Sequence, residues 1–468
     1  MVNAYVQAQL HAHPSIPATF MPLDSDLREM LRAYLPDMPR GRVHSVRVLR
    51  ALYGLRESAR LFHDHFDAVL RKVGFAQLGG EPCLYILRCA SGGFLLIALH
   101  VDDFLHANCS ANSYEFIRAH EAIIDALDGL LKTSQAAIFV GTNITLSDPT
   151  ADGGPDVLRI DGDGSMHISV ASHINAMIDE MLPKDAPPSI TDTRVPMAGS
   201  LYHKLIHKQG TLLVADSTAA KWFRSAAGRV IWYSTRCRPD ISHAAHILSR
   251  GMCAPTDTHV AAMIHLMRYL RGTPTHGLLF RAHAQLRTPL VHAPPAELVI
   301  YHDATYNSDP LDSTSIAAVV VFLAGTPISW CTARIPYVCR SSTHAELDGA
   351  ARALCFLQDH AELLDAVADA SPIMRTIIPA TTGVVTDNSG LAQLANSIND
   401  AELRSHRHIR TRLHHLKAAV RDKTIKLTWA PASEMHADIL TKCVGIAQFE
   451  KMREHLVVPA PSLDTQRA

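Results

Sequence analysis

The chain has 468 residues, 47% of them hydrophobic and 19% charged, which is a globular composition with room for about three domains of roughly 150 residues each. Its apolar runs, such as Ile316 to Ala324, are too short to span a bilayer; the residues after Met1 show no charged-then-apolar secretory pattern, and the nine cysteines contain no C-x-x-C and give no disulfide framework. A net charge of −1 excludes a strong whole-molecule field, so any grip on nucleic acid must come from local basic patches.

In chain order, Asn3 to Leu10 is short and mixed, and Asp24 to Leu35 has helical spacing (Leu27, Met30, Leu31, Tyr34) that Pro36 and Pro39 stop. Leu52 to Arg60 leads into a predicted helix with apolar Leu61, Phe62, Phe66, Val69 and Leu70, closed at Gly74-Phe75. Glu81 to Ile86 reads as a strand, turned at Ser91-Gly-Gly93 into the stretch Phe94 to Leu105. There, apolar Phe94 to Leu99 leads to Asp102 and Asp103, and the apolar pattern resumes at Phe104, as in a hairpin turning at its acids. Two adjacent carboxylates in so apolar a setting repel each other and lose hydration, which a hard divalent ion such as Mg²⁺ would relieve. An ordinary hairpin with a polar turn is the other reading of those two residues alone.

Farther on, Pro183 to Pro196 reads as a linker, and Phe223 to Phe280 as helix pairs packing a core. From Leu298 the pattern changes to strands: Leu298 to His302, Ile316 to Leu323 and Ile328 to Cys331, then a helix, then Gly383 to Thr386, a basic helix, and Ile425 to Trp429. That order predicts a mixed sheet with helices packed on it. Asp303, Glu346, Asp387 and Asp438 fall at element ends, and four carboxylates from separate elements can hold two Mg²⁺ ions about 4 Å apart, the arrangement that activates water on a phosphodiester. Arg40 to Arg60 carries six arginines against one acid, and Arg404 to Lys426 eight basic residues against one acid. Each is either a solvated helix face or a phosphate-binding patch.

The segments Leu52-Tyr-Gly-Leu55 with Arg60, Gly74-Phe75, Pro82-Cys-Leu-Tyr85 and Val101-Asp102-Asp103 resemble, in order and spacing, the palm of a copia-type retrotransposon reverse transcriptase. Ile138 to Ile144 resembles the strand that follows the palm in the same elements, and Arg238-Pro-Asp-Ile-Ser242, Leu248-Ser-Arg250 and Arg268 to Thr273 are similar to their later segments, with an unusual insertion at His207 to Ala219. The last third resembles their RNase H domain: His302-Asp-Ala-Thr-Tyr306 matches Ser-Asp-Ala-Asp-Trp, Ser341 to Glu346 matches Ser-Ser-Thr-Glu-Ala-Glu, Thr386-Asp-Asn-Ser389 matches Cys-Asp-Asn-Gln, and Ala437-Asp-Ile-Leu-Thr-Lys442 is identical to the family's ending.

The resemblance implies an α+β or α/β architecture: a truncated polymerase palm without fingers over 1–182, a linker and helical thumb or connection over 183–290, an RNase H-like mixed sheet with flanking helices over 291–457, and a tail over 458–468. It implies Asp102 and Asp103 as polymerase metal ligands, Asp303, Glu346, Asp387 and Asp438 as nuclease metal ligands, and Mg²⁺ or Mn²⁺ in two-metal sites. Tyr5, Glu57 and Arg60 would face the nucleotide, and Arg407, His408 and Arg412 the hybrid backbone. The partners would be an RNA template, an RNA/DNA hybrid and deoxynucleotides, with no membrane, in a cytoplasmic virus-like particle or the nucleus. Three departures weigh against polymerisation: the palm's other acid would lie before Met1, Glu57 replaces a Gln beside the triphosphate, and His100 replaces a Tyr. Two readings follow, a reverse transcriptase with RNase H whose polymerase is inactive as it stands, or a decayed or co-opted fragment that binds nucleic acid without catalysis.

Overall fold

The computed structural model describes residues 20–22, 45–47, 58–78, 81–90, 93–100, 103–108, 113–126, 138–139, 142–146, 165–182, 193–280, 298–310, 312–369, 375, 378–397 and 409–460. The chain forms two compact units, 1–136 with 154–158, and 137–153 with 159–468. The expected boundaries at 182/183 and 290/291 both fall inside the second unit.

In the first unit, β1 (Phe20–Pro22) pairs with β2 (Ser45–Arg47). The predicted helix is α1 (Ser58–Val73), whose Phe62, Phe66, Val69 and Leu70 recur at helical spacing and are buried. Gly74, at φ +110°, ends it in the left-handed region that glycine adopts without strain. An antiparallel sheet follows: β3 (Ala76–Leu78), β4 (Glu81–Arg88), β5 (Phe94–His100) and β6 (Asp103–Asn108). Strands β5 and β6 pair antiparallel, with His100 opposite Asp103. Leu95, Ile97 and Leu99 of β5 point to one face and pack with Tyr85, α1, and Ala119 and Ile123 of α2 (Ser113–Ala126).

The second unit contains two sheets. In the first, β7 (Ile138–Phe139) pairs antiparallel with β8 (Thr142–Leu146), where a single strand was expected over 138–144. Next come β9 (Met166–Ser169), α3 (Ala171–Met181), α4 (Gly199–Ile206), α5 (Thr218–Arg236), α6 (Ser242–Ser249) and α7 (Asp257–Gly272). The segment expected to be helical to Phe280 ends instead in β10 (His276–Phe280), which pairs with β9. The linker read over 183–196 docks at its end: Val195 is buried and its carbonyl faces His265 Nε2 at 2.9 Å.

The second sheet has the order β13-β12-β11-β14-β15. It comprises β11 (Leu298–Ala304), β12 (Ile316–Leu323) and β13 (Thr326–Arg334), then, after α8 (Ser342–Ala368), β14 (Thr382–Thr386). A short helix that the sequence pattern did not reveal, α9 (Ser389–Asn396), precedes α10 (Arg410–Arg421) and β15 (Ile425–Trp429). Strands β12 and β13 run antiparallel to their neighbours, whereas β14 is parallel to both β11 and β15. The last helical stretch begins with a 3₁₀ turn, Asp438–Leu440, and continues as α11 (Ile446–Leu456). Val458–Pro459, the start of the expected tail, is β16, which pairs with β10.

Both faces of this sheet are covered, so its strands read as apolar runs. Leu298 and Ile300 join Leu347, Leu354, Leu391 and Leu413 of the helices α8 to α10. Val299, Tyr301, Val320 and Phe322 join Phe223, Leu248, Leu266 and Phe449 on the opposite face, a core shared by α5, α6, α7 and α11. Inside that second layer lies a wholly buried ion pair. Arg238 Nε and Nη2 donate to Asp240 Oδ1 and Oδ2 at 2.9 and 2.8 Å, Nη1 donates to the Thr273 carbonyl at 2.8 Å, and Tyr269 OH donates to Asp240 Oδ2 at 2.7 Å. A buried bidentate pair with its remaining donors satisfied is costly to break by halves, because the partner's charge is left dry. Asp240→Ala is expected to lower the unfolding free energy of the second unit by about 3–5 kcal/mol, and Tyr269→Phe by about 1 kcal/mol. Urea denaturation followed by tryptophan fluorescence measures both; equal small effects would show that the pair is not a brace.

Candidate active site

The alternation of β11 sends neighbouring residues to opposite faces. His302 faces α8, where the nearest approach allows no side chain: a Cβ on Gly349 would meet His302 Nδ1 at 2.9 Å. Asp303 faces the 3₁₀ turn, and Thr441 Oγ1 donates a short hydrogen bond to its Oδ2. The parallel register pairs Tyr301 with Val385, so two residues on, Asp303 and Asp387 leave the carboxyl ends of adjacent strands side by side. This is where ligands bind on open α/β sheets. Trp429 Nε1 donates to the Asp387 carbonyl at 2.9 Å, and Asn388 caps α9 through Leu391 N, which together fix the backbone around Asp387.

Asp303, Asp387 and Asp438 each present an oxygen within 4.8 Å of the others. Glu346, on the first turns of α8, stands beside them: its Oε1 accepts from Ala304 N at 3.3 Å, while buried Oε2 accepts no hydrogen bond and lies 3.6 Å from His302 Nδ1. Burial, then Asp303 and Asp387, pushes the Glu346 carboxyl well above its ordinary value. Burial and Asp303 also raise Asp387, and raise Asp438 to about 7 even though Lys442 Nζ lies 3.0 Å from Asp438 Oδ1. Burial lowers His302 to about 3, so its ring is neutral and offers Glu346 no charge. Carboxylates held this close and this dry fit a hard divalent cation with oxygen ligands, and an uncommitted buried oxygen on Glu346 extends the donor set.

Of the other expected site residues, Tyr5, Glu57, Asp102, Arg407 and His408 lie outside the described residues. Asp103 opens β6, opposite His100. Arg60 is exposed on the first turn of α1, 3.8 Å from Asp64. Arg412 is engaged within the protein, stacked over Tyr337 and 3.3 Å from Asp348 Oδ1. Thr441 and Lys442 were not singled out from the sequence; the signal was there in the i, i+4 spacing of Asp438 and Lys442.

A mixed sheet of this order, with helices on both faces and carboxylates gathered at the ends of its parallel strands, is an α+β fold. The chain is similar over most of its length to retrovirus-related Pol polyproteins of plant transposons. It is 25% identical over 441 residues to the Pol polyprotein of transposon TNT 1-94 from Nicotiana tabacum, covering 92% of this chain but only 30% of that one. It is 26% identical over 300 residues to a putative transposon Ty5-1 protein of Saccharomyces cerevisiae, covering 63% of this chain and 84% of that protein. Among solved structures it is similar to the N-terminal RNase H domain of Rv2228c from Mycobacterium tuberculosis, solved as a fusion with maltose binding protein, at 14% identity and a TM-score of 0.20, covering 34% of this chain and 97% of that one. No family model matches the chain.

Asp438 sets one part of the pH dependence of the metal-free protein. Unfolded, it loses its proton near 3.8; folded, it holds the proton to about 7. Between those values this group's contribution to stability falls as pH rises, against the rise contributed by buried histidines that are held down, such as His302 and His436. The melting temperature of wild type minus that of Asp438→Asn, measured in chelator from pH 4 to 8, is therefore expected to fall across this window and to level off above about 7. A difference that rises with pH would contradict the cluster's electrostatics.

Proposed function

We propose that the second unit cleaves the RNA strand of an RNA/DNA hybrid. The supporting observation is the convergence of Asp303, Asp387 and Asp438 within 4.8 Å, with Glu346 buried beside them. These four carboxylates would hold Mg²⁺ or Mn²⁺. Such ions, when bound, supply a hydroxide-like nucleophile and stabilise charge on the leaving oxygen. The chain's own contribution is to hold the ligands: Thr441 orients Asp303, Ala304 N orients Glu346, and Trp429 fixes the Asp387 backbone. The basic segment containing Arg407, His408 and Arg412 is assigned to the hybrid's phosphates, though Arg412 would have to share its guanidinium with Asp348. In the first unit, Asp102 and Asp103 are assigned to the metal site of an RNA-directed polymerase, with Tyr5, Glu57 and Arg60 near the deoxynucleotide; Glu57 would repel the triphosphate.

Cleavage is expected to be slow, to require Mg²⁺ or Mn²⁺, to spare duplex DNA, and to weaken as salt rises from about 50 to 200 mM, because the grip on the hybrid comes from phosphate contacts and a near-neutral chain adds no long-range attraction. Asp303→Asn should lower the rate by about a hundredfold or more. The assay is a labelled hybrid with purified full chain beside that variant. If a folded wild-type protein leaves the RNA intact, the alternative of a co-opted or decayed fragment that binds without catalysis takes its place.

A further inference from the structure

Lys442 lies at the edge of the acid cluster and has no part in the function proposed above. Its Nζ is 3.0 Å from Asp438 Oδ1 and 3.6 Å from Asp303 Oδ2. The position is built into the backbone: Thr441 N and Lys442 N both donate to the Asp438 carbonyl, at 3.1 and 3.0 Å, so the turn that supplies Asp438 also folds Lys442 back over it. Thr441, between them, holds Asp303. One five-residue turn therefore delivers a metal-type ligand, a clamp on a second ligand, and a cation aimed at both. The lysine side chain keeps 38% of its surface exposed, whereas Asp303 and Asp438 are 2% exposed. The acids are fixed and the cation stands at the mouth, able to swing out along its flexible stem.

We propose that Lys442 is the cluster's built-in counter-cation, which holds the carboxylates together in the metal-free protein and which a divalent ion displaces on binding. An ammonium and a divalent ion compete for the same oxygens of Asp303 and Asp438, and two cations within a few ångströms repel. Lys442 therefore raises the metal concentration at which the site fills, and it keeps the unit folded while the site waits. The inference rests on the reading of the cluster as a divalent-metal site.

The test uses the full chain, with Mn²⁺ alone as the probe and no nucleic acid. Wild type, Lys442→Met and Lys442→Arg are compared by isothermal titration with Mn²⁺ and by thermal melting in chelator, with Asp303→Asn as the control for the site. Lys442→Met is expected to melt a few degrees lower in chelator and to bind Mn²⁺ roughly tenfold more tightly. Lys442→Arg, which keeps the charge, should stay near wild type in both. If Lys442→Met folds only once Mn²⁺ is added, the proposal is supported, since a divalent ion then replaces the missing charge. Failure to fold in either condition, or agreement with wild type in both measurements, overturns it, as does a Lys442→Arg variant that behaves like Lys442→Met. A wild type whose Mn²⁺ heat is absent or equals that of Asp303→Asn removes the metal site itself and the proposal with it. Normal wild-type binding with an inert Lys442 removes the proposal alone.

Discussion

Mutual repulsion among buried carboxylates is the constraint under which the second unit is built. Three acids converge within 4.8 Å, and a fourth is buried beside them. Burial and like charge both disfavour ionisation of Glu346, Asp387 and Asp438 there. A fold can impose such a cluster only if the ligands' backbone is held from several directions. The parallel register of β11 and β14 sets Asp303 against Asp387, the start of α8 brings in Glu346, and the 3₁₀ turn brings in Asp438. None of these elements could slip by one residue without turning its acid to the wrong side.

That rigidity comes from covering the sheet twice. The face toward α8 to α10 is an ordinary helix-on-sheet core, and the other face is covered by α5 to α7 and α11. The helical segment is thus the second layer of the sheet. Contacts across it are specific as well as apolar: Trp330 Nε1 donates to the Ser234 carbonyl at 2.6 Å, and Thr332 Oγ1 to the Leu440 carbonyl at 2.9 Å, next to Thr441. The buried Arg238–Asp240 pair ties the turn before α6 to Tyr269 and Thr273 at the end of α7.

Much of this was legible beforehand, and the reasons differ by element. Helix α1 was readable because Phe62, Phe66, Val69 and Leu70 repeat at helical spacing before a glycine, and the β5–β6 pair because its apolar run breaks only at the acids. Asp303, Asp387 and Asp438 were found because acids at strand and turn ends are unusual beside such apolar runs, and the family motifs gave their order. Strand β10 was missed because His276–Phe280 follows a long helix directly and its partners lie far away in sequence. Helix α9 is eight residues long, too short for periodicity to declare itself. The shared core was invisible for a deeper reason: apolar periodicity says that a face is buried, never against what. Lys442 was hidden in plain view, since a lysine four residues after an acid usually marks an exposed helix pair.

The closure of the first sheet has a bearing on how the protein is made. His167 Nε2 lies 3.0 Å from the Val458 carbonyl, 291 residues away, and β10 is held between β9 and β16. As the polypeptide leaves the ribosome, β9 and β10 emerge together with α3 to α7 while most of their apolar surface still lacks its partners on β11, β12 and α11. This unit cannot complete its core as it is translated. At synthesis rates of about 5–20 residues per second, the helical layer waits on the order of ten seconds or more for the strands that cover it. For that interval its partner surface belongs to whichever chaperone reaches it first.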